Sequence, residues 1–184
     1  GTIAQKDYTI DKPKTTDLYS VGTVAEILKI LEMPDGSTSV IIQGKRRYSI
    51  NEFISEDPYF KAKVEALNDV LPNNDNEFDA IIGSLKDLSI KIAQFSANVP
   101  PEATFAVKNI ENSTFLINFI CSNTDINVLD KQNLLEIENI KDRGIQAISF
   151  LVKEVQMLEL KNDIQKKVKT DMDKQQREFM LNQH

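Results

Sequence analysis

Few residues in this chain are of a type and spacing that could do chemistry. A phosphate-binding loop needs two glycines separated by four residues and then Lys and Ser or Thr, so that backbone amides surround the phosphates. The most similar arrangement is Gly36 with Gly44 and Lys45, but seven residues separate these glycines, and Arg46 stands where the hydroxyl is needed. We therefore interpret Gly36 as a hairpin glycine and Gly44 as a strand-end glycine.

Metal and nucleophile sites are equally poorly supported. Asp75–Ala80 offers the acids of a calcium loop but has Ala80 where that loop requires glycine, so these acids fit the first turn of a helix better. The only histidine is His184, which leaves no Ser-His or Cys-His pair and no zinc site with a histidine. Cys121 lies in an apolar helical run, where a buried, inert thiol is expected.

The residue counts alone do not exclude a catalytic Ser-Lys pair, because both residue types are plentiful. No serine lies in the glycine-lined turn that exposes a nucleophile, however. We therefore expect a non-catalytic chain without a cofactor or metal.

Composition and charge favour a globular protein of the cytoplasm. The 184 residues are 41% hydrophobic and 27% charged, with a net charge of -6. No apolar run approaches the roughly 18 residues that span a bilayer, and a single cysteine fits a reducing compartment. We expect a soluble protein without membrane contact.

Nucleic-acid binding is not expected, because an acidic chain lacks the basic surface that displaces phosphate counterions. One basic cluster shares its helix with several acids, which predicts a solvated face of mixed charge. The cluster consists of Lys161, Lys166, Lys167 and Lys169.

The first 71 residues read as β structure. Val21–Leu31 and Thr38–Ile50 are rich in β-branched and apolar residues, and Met33–Ser37 between them contains the Pro, Asp and Gly of a tight turn. This predicts a hairpin. Ile3–Ile10 and Phe60–Leu67 are weaker strand candidates. Two long strands alone form only a marginally stable unit. We therefore expect that the complete sheet includes strands that precede Gly1 and that this chain lacks.

Residues 72–184 read as helical. Apolar residues recur at steps of three and four from Phe78 to Phe95, and Val99–Pro101 ends that stripe. Shorter helices are predicted near residues 102–108, 113–121 and 125–136. A long helix is predicted over about 139–183, with a stripe that should pack on the preceding helices. That stripe comprises Ile145, Ile148, Leu151, Val152, Val155 and Leu158.

The second half of the long helix is too polar to lie in a core, so we expect it to project into solvent or to meet a partner. Its few apolar residues, Ile164, Val168, Met172, Phe179 and Met180, are candidates for subunit contact. A thin packing stripe within one chain is the alternative. The predicted class is α+β, with a partial twisted sheet or pseudo-barrel at 1–71 and a helical bundle at 72–184 that ends in one long projecting helix.

Six stretches together resemble the N-terminal domain of the ATP-dependent protease Lon. Their order along the chain matches the order of the family's motifs. The stretches are Asp17–Leu28, Leu31–Gly36, Gln43–Arg47, Pro100–Glu102, Lys131–Glu136 and Gln175–Leu181. The resemblance implies a β-rich and a helical subdomain that lead to an ATPase module, which would use ATP and Mg²⁺. The family's Ser-Lys protease dyad falls on no residue of this chain.

The resemblance implies a module that recognises unfolded or damaged proteins and supports assembly of a homo-hexamer. Exposed aromatic residues would recognise apolar stretches that folded proteins bury. Tyr19, Phe53, Tyr59 and Phe60 are the candidates, and the alternative for each is a place in the core. A stand-alone adaptor with this domain and no protease is the competing function.

Overall fold

The computed structural model describes residues 1–73, 75–96 and 99–183. A short 3-10 turn at Thr15–Asp17 precedes three strands, and five helices follow them among the described residues. The strands are β1 (Val21–Glu32), β2 (Thr38–Ser55) and β3 (Lys61–Ala66). The helices are α1 (Asn76–Phe95), α2 (Pro101–Lys108), α3 (Ser113–Asn123), α4 (Val128–Glu136) and α5 (Ile140–Leu181). This confirms the predicted α+β class.

The three strands form one antiparallel sheet in the order β1-β2-β3. The predicted hairpin between β1 and β2 is confirmed. Gly36 has a φ of 84°, which an L side chain rarely adopts, and Met33 N–H donates to the Ser37 carbonyl at 2.8 Å. The pairing of β1 with β2 is irregular at Leu28. Ile27 and Lys29 pair with the consecutive residues Ile42 and Ile41 of β2, so Leu28 has no partner in β2 and forms a β-bulge.

The strand predicted at Ile3–Ile10 is wrong. Only single bridges form there, between Thr2 and Thr23 and between Gln5 and Leu18. The Asp7 carboxylate accepts hydrogen bonds from the backbone and the hydroxyl of Thr9, and this local bonding turns the chain where a ladder would have to continue. The prediction of a strand near residues 60–67 is confirmed by β3.

The first compact unit comprises Gly1–Pro72 and Ile126–Arg143. Two backbone hydrogen bonds connect residues 126–143 to the strand segment. Val70 N–H donates to the Glu138 carbonyl, and Ile140 N–H donates to the Val70 carbonyl. In addition, Gln132 Nε2 donates to the Val21 carbonyl at 3.0 Å. The division predicted at residue 71 did not anticipate that α4 would join this unit.

The second compact unit comprises Asn73–Asp125 and Gly144–His184. Its core is built from one face each of α1, α3 and the first half of α5, with Leu85 and Leu116 fully buried. A Cβ on Gly144 would lie 2.9 Å from Ile81 Cγ2, so the absence of a side chain there lets α5 approach α1 closely. The remaining buried side chains of this core are Ile81, Ile117, Ile120, Ala147, Leu151 and Val155.

The packing face predicted for α5 is partly wrong. Ile145 and Val152 are exposed, because Gly144 and Ala147 occupy the side of the helix that meets α1 and α3. The continuous long helix itself is confirmed. From Lys161 to Gln183 every residue except the half-buried Asn162 is exposed. None of the helices formed by the described residues is both long and apolar enough to cross a membrane.

Candidate functional site

The described residues bring together no group of three or more His, Cys, Asp or Glu side chains that could hold a metal ion. They do expose apolar surface, which includes four groups of exposed apolar side chains. These groups lie at the turn between β2 and β3, on the β1–β2 hairpin, on one face of α3 and on one face of α5.

Three of the four predicted substrate-contact residues lie together at the β2–β3 turn. The rings of Phe53 and Phe60 meet edge to face with 6.1 Å between their centroids. Tyr59 is 61% exposed and Phe60 is 39% exposed, whereas Phe53 is half-buried. Lys61 Nζ lies 5.1 Å from the centroid of the Tyr59 ring, within the range of a cation–π contact. We call Phe53, Tyr59 and Phe60 the turn aromatics.

The turn aromatics are positioned by antiparallel pairing and by polar contacts of the turn. Phe53 pairs with Ala62 across the ladder, so the residues that follow Phe53 and precede Ala62 must reverse the chain direction. Ser55 Oγ donates to the Asp57 carbonyl at 3.1 Å, and Glu56 Oε1 accepts from Thr15 N–H at 3.4 Å. The rings therefore sit on a turn that is held in place rather than on a free loop.

Tyr19, the fourth predicted substrate-contact residue, lies apart from this group in the contacts of the described residues. It is half-buried and its N–H donates to the Ala4 carbonyl at 2.9 Å. Its neighbour Leu18 is buried in the core of the first unit. Tyr19 thus has less free surface than Tyr59.

The distal part of the β1–β2 hairpin is an apolar surface that sequence reasoning missed. Ile27, Leu28 and Ile30 of β1 are all exposed, as are Val40, Ile41 and Ile42 of β2. Successive strand residues point to opposite sides, so both faces of the hairpin carry apolar side chains. The signal was present in the sequence as adjacent apolar residues at 27–28 and 40–42, because a strand with one face in solvent alternates apolar and polar residues.

The predicted subunit-contact residues of α5 are exposed, and most of them share one face. Ile164, Val168, Met172 and Phe179 fall within about 80° of one another around the helix axis at about 100° per residue. Met157 and Leu160 extend the same face toward the start of the helix, and all six are exposed. We call these six residues the α5 stripe. Met180 is exposed as well but lies about 80° outside the stripe.

A family model described as the ATP-dependent protease La (LON) substrate-binding domain matches residues 2–153. The Lon protease of Flavobacterium johnsoniae is 47% identical over 184 residues, and that of Porphyromonas gingivalis is 41% identical over 186 residues. Both alignments cover 100% of this chain but 22% of the relative. The chain therefore spans about a fifth of the length of these curated relatives.

Solved structures show the same fold. The N-terminal domain of Mycobacterium avium complex Lon protease superposes with a TM-score of 0.61 at 21% identity, covering 73% of this chain and 71% of that chain. A Lon N-terminal domain protein from Xanthomonas campestris superposes with a TM-score of 0.52 at 12% identity, covering 74% and 71%. With the family match over most of its length and relatives above 40% identity, the chain belongs to the family of Lon substrate-binding domains.

Proposed function

We propose that this chain captures unfolded or damaged proteins for a longer, ATP-dependent serine protease of the cytoplasm. The chain performs no chemistry in this proposal. ATP, Mg²⁺ and a Ser-Lys dyad belong to the remaining part of that longer protein. The family match and the exposed apolar side chains of the described residues support the proposal.

The observation that carries the proposal is the group of turn aromatics. Aromatic rings contribute large apolar contact areas, and in folded proteins most such rings are buried. A partner that offers apolar residues to Tyr59 and Phe60 must therefore have them exposed, which is the property of an unfolded chain. Because one hydrogen bond within the turn and another from Thr15 hold the turn in place, binding need not order it first.

A titration of this chain against one model protein, held unfolded and held native, tests the capture role. The expected result is saturable binding to the unfolded form and none to the native form. Equal binding to both forms, or binding to neither, would contradict the proposal.

We further propose that the α5 stripe contacts another subunit of a homo-hexamer. Its residues are apolar but exposed, and the rest of the helix surface is strongly polar. A narrow apolar face on a polar helix is typical of a helix that packs against a partner. A stand-alone adaptor that uses this domain without a protease is the competing function. An intact reading frame that ends soon after residue 184 would favour the adaptor, whereas continuation into ATPase and protease domains would favour the protease.

A further inference from the structure

Helix α3 carries an exposed aromatic pair in the second unit that the proposed function does not use. Phe115 and Phe119 lie one helical turn apart, and their rings stack with 6.2 Å between centroids and 22° between planes. Both rings are exposed, while the opposite side of the helix, with Leu116, Ile117 and Ile120, is buried. The helix therefore packs through one side and presents two stacked rings on the other.

The electrostatic surroundings of this pair are negative at the carboxyl end of the helix. Helix α3 has no charged side chain of its own, and its carboxyl end carries the partial negative charge of the helix dipole. Asp125 follows directly after that end. Burial, and then the charge of Asp125, raise the pKa of Glu154 on α5, so the two carboxyl groups lie close enough to interact. In the sequence, no Lys or Arg occurs between Lys108 and Lys131.

The size of this surface limits its partner. An 11-residue helix is about 16 Å long, and two rings on one turn expose far less than the roughly 800 Å² per partner of a stable protein interface. A second copy of this chain would therefore bury too little surface there to form a stable dimer. A short, extended segment fits better, because it needs only one apolar side chain on the rings and one cation near the carboxylates.

We propose that Phe115 and Phe119 form a second substrate-contact surface, which selects unfolded segments that carry an apolar or aromatic residue flanked by Lys or Arg. This inference rests on the proposed function, since it assumes that the chain binds unfolded polypeptide. It adds a charge preference to that function. The rings supply apolar contact and the π faces that attract a guanidinium or ammonium group, and the carboxyl end of α3 supplies the attraction for its charge.

The test uses two unstructured peptides with the same aromatic centre, one with Lys and Arg flanks and the other with Glu flanks. The 184-residue chain should bind the basic peptide about tenfold more tightly at low salt, and added salt should reduce the difference. The variant Phe115→Ser/Phe119→Ser should bind the basic peptide about tenfold more weakly. Phe105→Ser on α2, which also removes an exposed ring, is the matched control and should leave the affinity unchanged.

A charge variant keeps the test decisive if the double variant proves poorly folded by circular dichroism. Asp125→Asn should reduce the preference for the basic peptide while it leaves the affinity for a peptide with neutral flanks unchanged. Equal affinity for both peptides, or no effect of either variant, would overturn the inference. So would a change in sedimentation of the Phe115→Ser/Phe119→Ser variant, because that result would assign the surface to self-association.

The two proposals fail separately. If the chain binds unfolded protein through the turn aromatics but the α3 variants change nothing, only the α3 surface is refuted. If the chain binds neither unfolded protein nor either peptide, both proposals are refuted.

Discussion

Asp69 and Arg143 are 74 positions apart in the sequence, yet Arg143 Nη2 lies 2.9 Å from Asp69 Oδ1. The same oxygen accepts two hydrogen bonds from Arg47, at 2.7 Å from Nη2 and 3.1 Å from Nε. Each arginine also donates to a backbone carbonyl, Arg47 to Leu135 and Arg143 to Ile137. One carboxylate thus joins the strand segment to residues 126–143 within the first unit.

This arrangement predicts a loss of stability in acid. Burial alone would raise the pKa of Asp69, but the hydrogen bonds and charges of Arg143 and Arg47 together outweigh it and lower the pKa below its ordinary 3.8. A lowered pKa in the folded state stabilises the protein at pH values above 3.8, and this contribution disappears as the pH falls through the folded value. Urea unfolding at several pH values between 7 and 2 measures this loss as a decrease in the free energy of unfolding.

The variant Asp69→Asn identifies the source of that acid sensitivity. It should lower the free energy of unfolding at pH 7 by about 2 kcal/mol or more, because it removes the carboxylate charge to which the buried guanidinium groups of Arg47 and Arg143 both donate. It should also flatten the dependence of stability on pH below 4. An unchanged slope would assign the acid sensitivity to other carboxylates.

Two helical glycines form a matched pair for a test of packing. A Cβ at Gly144 would lie 2.9 Å from Ile81 Cγ2, whereas a Cβ at Gly83 in α1 would meet nothing within 4 Å. Gly83→Ala should therefore stabilise the protein by up to about 1 kcal/mol through helix propensity alone. Gly144→Ala should instead destabilise it by about 1 kcal/mol, because overpacking outweighs the same propensity gain. Thermal unfolding of both variants would show the opposite signs.

The turn aromatics predict where substrate binds in the first unit. Tyr59→Ser/Phe60→Ser should weaken binding of an unfolded model protein at least about fivefold, since each ring offers free apolar surface. Tyr8→Ser removes a ring that is even more exposed but lies outside the β2–β3 turn, and it should bind as the unchanged chain does. Fluorescence anisotropy of the labelled unfolded protein gives the affinities. Equal losses in both variants would mean that any exposed ring suffices.

The α5 stripe predicts a change in assembly of the longer protein. Val168→Asp places a charge in the centre of the stripe and should shift the oligomer toward smaller species in sedimentation velocity. Lys166→Gln makes the same change in net charge on nearly the opposite side of the helix and should leave the distribution unchanged. If Val168→Asp assembled normally, the stripe would not be a subunit contact.

The sequence was most informative where local chemistry decides the structure. The hairpin turn follows from Pro34 and Gly36, and α1 and α5 follow from their apolar periodicity and the absence of breakers. The association of residues 126–143 with the sheet involves long-range contacts such as the pair of Asp69 and Arg143, which no local pattern encodes.

Exposure was harder to predict than element type in the candidate sites. In the helical run that contains Phe115 and Phe119, every residue except Asn118 is apolar or small, so residue type alone does not distinguish the buried side from the exposed side. The structure buries only the side that meets the core of the second unit and leaves both rings free. The positions of Tyr59 and Phe60 in the β2–β3 turn were a better indication of exposure than their residue type.

The bulge at Leu28 bears on how the chain avoids aggregation. β1 is an edge strand of the sheet, and a long, flat, apolar edge is a template for strand pairing with another molecule and for fibril growth. The bulge breaks the regular ladder in the middle of the apolar run, and the charged residues Glu26 and Lys29 stand on either side of it. The bulge and the two charges therefore oppose the addition of further strands to this exposed apolar edge.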